Sequence, residues 1–66
     1  MSATERDLAR TYARALAAEH RAVERVDLAT SPVARVRSLE AAWRAVAATN
    51  RALLALQACR ASAVSP

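Results

Sequence analysis

The 66 residues contain no glycine, no phenylalanine and no lysine, and only one cysteine, one tryptophan and one tyrosine. A single cysteine cannot close an internal disulfide, and no Cys/His cluster is present to hold a structural metal. No uninterrupted apolar run of membrane-spanning length exists, because Arg44, Asn50 and Arg51 break the best stretch. The opening MSATERDLAR has no apolar core, which argues against a secretory signal. With a lone cysteine, that points to the cytoplasm. Strand formers never alternate over a usable run, so sheet structure is not expected.

What is present favours helix. Nineteen residues are alanine, the best helix former, and glycine, among the worst, is missing. The hydrophobic fraction of 55% is mostly alanine, so bulky core residues are few. A chain this short forms one domain, residues 1–66, and buries only ~60% of its unfolded surface. Without disulfide or metal, association is the staple left to it.

Ser2 and Glu5 read as a capping box that opens a first helix from about Ala3 to Leu28. Thr30-Ser31-Pro32 stops it. Proline disfavours helical geometry in the preceding residue and suits the first position of a new helix, so Ser31 is the expected cap. The second helix is expected from Pro32 to about Ala61, with residues 62–66 frayed. Long helices joined by so short a turn form an antiparallel two-helix hairpin, an all-α fold, and two hairpins build a four-helix bundle.

The bulky residues form stripes. Leu8, Tyr12, Leu16, Val23 and Val26 line the first helix, and Val36, Leu39, Trp43, Val46, Asn50, Leu53 and Leu54 the second. Pairing them antiparallel with residue numbers adding to 62 sets Glu19 against Trp43 and Tyr12 against Asn50. Tyr12, Glu19, Trp43 and Asn50 would then be a buried polar set. Such a set can fix register and partner choice. It could also hold a carboxylate with a raised pKa for acid–base work or ligand binding, although a two-helix hairpin offers little room for a pocket.

Metal binding is not expected. Glu19 and His20 are adjacent and diverge by ~100°, and Glu24 points to solvent. No nucleophile–base arrangement is visible, and Cys59 reads as a packing residue. Neither catalytic residues nor cofactors are therefore expected.

A second line, Ala41, Ala45, Ala48, Ala52, Ala55 and Cys59 with Leu56 beside it, carries no charge. It reads as the seam that receives another helix, a second copy first and a different protein otherwise. Charge is lopsided too. Residues 1–31 are neutral, and residues 32–66 carry the net +4. Arg37, Arg44 and Arg51 repeat every seven residues, a stripe suited to an acidic protein or to phosphates.

The expectation is thus a non-enzymatic helical-hairpin interaction module: an adaptor, small regulator or inhibitor, or accessory subunit. It would act as a homo-oligomeric coiled-coil bundle or on a partner helix, without a membrane. The rivals are a nucleic-acid-binding bundle using the Arg stripe, and a small ligand-binding protein or enzyme centred on Glu19.

Overall fold

The computed structural model describes residues 3–64. Two α-helices, α1 (Ala3–Leu28) and α2 (Pro32–Val64), account for all but the turn, and no strand occurs among the described residues. The capping role assigned to Ser2 lies outside those residues. The second cap is where the sequence places it. Ala34 N donates to Ser31 Oγ at 3.1 Å, and Arg35 N donates to the Ser31 carbonyl at 2.9 Å. Pro32, lacking an N–H, occupies the first helical position, where no donor is needed. α2 runs three residues past the expected Ala61. Ser62, Ala63 and Val64 tolerate helix, and the first breaker is Pro66.

The turn is Ala29-Thr30-Ser31. Ala29 N donates to the Val26 carbonyl at 3.3 Å, tightening the end of α1. Arg35 Nη2 reaches back to donate to the Ala29 carbonyl at 3.5 Å. The helices fold against each other into a rod of 54 × 14 × 11 Å. A helix of 33 residues is ~50 Å long, so α2 alone sets the rod's length.

Burial identifies the seam between the helices. On α1 the covered positions include Glu5, Leu8, Tyr12, Ala15, Glu19, Ala22, Val26 and Ala29. On α2 they include Ser38, Ala42, Ala45, Thr49, Ala52, Leu56 and Cys59. Both series alternate steps of three and four, the heptad signature of a helix–helix seam. Two cross-links fix the level. Arg35 bonds to Ala29, and Arg60 Nε lies 3.8 Å from Glu5 Oε1, so facing residues have numbers adding to about 64–65.

This register explains the packing. It sets Tyr12 level with Ala52, Glu19 with Ala45, and Ala22 with Ala42. Tyr12 and Glu19 meet alanines and Ala22 meets Ala42, so the backbones approach closely enough for dispersion contacts. Thr49, 6% exposed, satisfies its hydroxyl by donating to the Ala45 carbonyl at 3.0 Å. No buried side-chain N or O among the described residues lacks a partner.

The structure thereby corrects the expected seam. Trp43 and Asn50 are exposed, not buried, and only Tyr12 and Glu19 of the polar set stay half-covered in the seam. The Ala-rich line, expected to await a second chain, is already covered by α1 at Ala45, Ala52, Leu56 and Cys59. Ala41 and Ala48 flank it half-buried, and Ala55 is exposed. The physical reason is complementarity. Trp43 against Glu19 and Asn50 against Tyr12 would set large on large and bury polar groups together.

Candidate interaction surface

The seam leaves two long sides of the rod open, and their chemistry is opposite. In an antiparallel pair, the residues one step after each seam position fall on the same side of both helices, turned ~100° from the seam. On α2 these are Leu39, Trp43, Val46, Asn50 and Leu53, with Gln57 and Arg60 toward the end away from the turn. On α1 they include Ala9, Ala13, Leu16, His20 and Val23. This side is largely apolar.

Its centre is a shallow groove of about 220 Å³, lined mainly by Val23, Val26, Leu39, Ala42, Trp43 and Val46, with Asp27 at its edge. Trp43 is 71% exposed on the groove's rim. The patch continues toward the turn. A second depression, lined by Thr30, Ser31, Pro32, Arg35, Val36 and Leu39, shares Leu39 with the first. Val36, Leu39 and Val23 are exposed as well. Aliphatic side chains left in water around a tryptophan mark a contact surface more often than a solvent face.

The hairpin's own core is thin. Among the described residues, only Ala22, Ala42, Thr49, Ala52 and Leu56 are buried, and Leu56 is the one large side chain. The chain exposes 5047 Å², whereas a compact monomer of its 7.1 kDa exposes about 4,100 Å². The excess follows from the elongated shape, a rod of 54 × 14 × 11 Å.

The remaining expected sites are placed as follows. Glu19 edges a depression with His20, Val23 and Glu24, while Asn50 and Trp43 lie on the neighbouring side, so the four polar residues do not converge. Cys59 is a free, half-buried thiol in the seam. Among the described residues, no group of three His, Cys, Asp or Glu side chains could hold a metal ion. None of their helices is long and apolar enough to cross a membrane. Arg37, Arg44 and Arg51 are exposed along the side opposite the groove.

No family model matches the chain, and no curated protein or solved structure is significantly similar to it. The surface is therefore read from its own geometry.

Proposed function

We propose that this chain is a non-enzymatic helical-hairpin interaction module that works as a self-associated bundle, with the Trp43 face as its contact surface. The observation that carries this reading is Trp43, 71% exposed beside an apolar groove formed by both helices. Tryptophan is the residue most enriched at the energetic centre of interfaces. A second copy is the occupant that suits the face. The face spans both helices, so two copies related by a two-fold axis bury like against like and give four helices around one core. Such a module suits an adaptor, small regulator or accessory subunit.

The test is solution mass by light scattering across a dilution series, with Trp43→Glu as the variant and circular dichroism as the control. A native dimer, and a Trp43→Glu chain that stays helical but monomeric, is the expected pair of results. A native chain that remains monomeric at the highest attainable concentration overturns the reading. So does a dimer that Trp43→Glu leaves intact.

A further inference from the structure

The side opposite the groove carries six arginines and a single carboxylate, Asp7, at its end away from the turn. In the seam's register, one step before each seam position leads to this side. Arg14, Arg21 and Arg25 come from α1, and Arg37, Arg44 and Arg51 from α2; all six are exposed. Arg14 falls level with Arg51, and Arg21 with Arg44, because their numbers add to the same total as the Glu5–Arg60 pair. Two guanidinium pairs, Arg14/Arg51 and Arg21/Arg44, thus lie about 10.5 Å apart along the rod, and Arg25 and Arg37 extend the rows toward the turn. Ala18, Ala41 and Ala48 form the floor between them.

The charge is concentrated, and no carboxylate stands among the six arginines. The chain as a whole is +4, yet this one side holds six positive charges. Glu24 and Glu40 lie on the outer backs of their helices, and Asp7, at one end, pairs with Arg10 at 4.0 Å. Among the described residues none of the six arginines is in an ion pair.

We infer that this double arginine row binds the phosphate backbone of duplex DNA without reading its sequence. Three arguments choose this ligand over other anions. An acidic protein surface needs a desolvated anchor at the centre of its contact, and the floor here is alanine. An anionic membrane recruits a helix that presents apolar residues along its length beside its cations, and here the one large apolar residue on the arginine side is Leu28, at the turn. A single strand is held by stacking on aromatic rings, and this side has none. A duplex backbone demands only positive charge at a suitable repeat. Arginine forks also suit phosphate oxygens. A rod laid along the backbone contacts phosphates, which carry no sequence, so affinity is expected and sequence preference is not.

The test is fluorescence anisotropy of the full chain with a labelled random-sequence duplex of about 20 bp, about two helical turns. Engaging four to six phosphates gives a slope of about −3.6 to −5.4 in log affinity against log salt. Affinity should then fall about 10²- to 10³-fold between 50 and 200 mM salt. The variant R14Q/R21Q/R44Q/R51Q should keep its helicity and solution mass, bind more than ten-fold more weakly at low salt, and lose most of the slope. The inference is overturned by absent binding at low salt, or by a variant that binds like the native chain. It is equally overturned if polyglutamate, single-stranded DNA or anionic vesicles are bound as tightly as the duplex. Trp43→Glu separates this inference from the one before it, because it should abolish self-association and leave duplex binding by each chain in place.

Discussion

Ala42 and Trp43 are neighbours in sequence and opposites in environment: Ala42 is 8% exposed and Trp43 is 71% exposed. One step along α2 turns the chain ~100°, from the closed seam to the open groove. At this level α1 places Ala22, itself 8% exposed, so alanine packs on alanine in the seam.

Trp43, the only tryptophan, is a built-in reporter of that step. Its fluorescence should be red-shifted, as for an indole in water, in dilute solution, and should move to the blue as concentration rises and the groove is covered. Val46→Glu, at the groove's wall, should keep the emission red at every concentration. An emission maximum independent of concentration in the native chain would show that the ring is never covered.

Leu54 and Leu56 make a paired stability experiment. Leu56 is 3% exposed and supplies most of the seam's bulk, while Leu54 is 64% exposed. Leu56→Ala should lower unfolding free energy by about 2 kcal/mol or more. Leu54→Ala should stay within about 0.5 kcal/mol. Chemical denaturation followed by circular dichroism at one fixed protein concentration measures both.

The seam's small residues should resist enlargement. Ala45 and Ala52 sit level with Glu19 and Tyr12, so leucine at either position has to push the helices apart. A loss of about 1–3 kcal/mol is expected for Ala52→Leu. Ala47→Leu, on the exposed back of α2, should be neutral within about 0.5 kcal/mol. Equal tolerance at Ala47 and Ala52 in thermal melts would contradict the seam described here.

Ser31 holds the start of α2 through its hydroxyl. Ser31→Ala should cost about 1 kcal/mol, and Ser31→Asp should retain the cap. Hydrogen exchange at Ala34 and Arg35 reads the change locally, and faster exchange in both variants alike would count against a capping role.

Glu19 is half-buried in the seam, with no hydrogen bond or ion pair among the described residues. Glu19→Leu should raise the unfolding midpoint, by up to about 1 kcal/mol of added apolar burial. A lower midpoint would indicate that the carboxylate is doing structural work that an apolar side chain cannot replace.

Both helices, the turn and the Ser31 cap are legible in the sequence because propensity and capping are local. Which face closes the hairpin is not local. α2 carries two heptad series one residue apart, Ser38-Ala42-Ala45-Thr49-Ala52-Leu56-Cys59 and Leu39-Trp43-Val46-Asn50-Leu53, and hydrophobicity alone favours the second. Pairing by numbers adding to 62 finds real neighbours of a kind. Val23 and Leu39 do line one groove, but as its walls and not as the seam. The decisive term is side-chain volume across the pair, with Tyr12 and Glu19 needing small residues opposite. The arginines of α1 escape notice for the same reason. Arg14, Arg21 and Arg25 join Arg37, Arg44 and Arg51 only once the register is known.

The two open sides of the rod face away from each other. Copies joined through the Trp43 side must therefore turn their arginine rows outward, in opposite directions. Such a pair is a bivalent linker. Holding one duplex on each flank, it gains avidity from tethering and not from new contacts. Its natural readout is then bridging: two DNA segments drawn together by a dimer, and released as single complexes when the dimer is split.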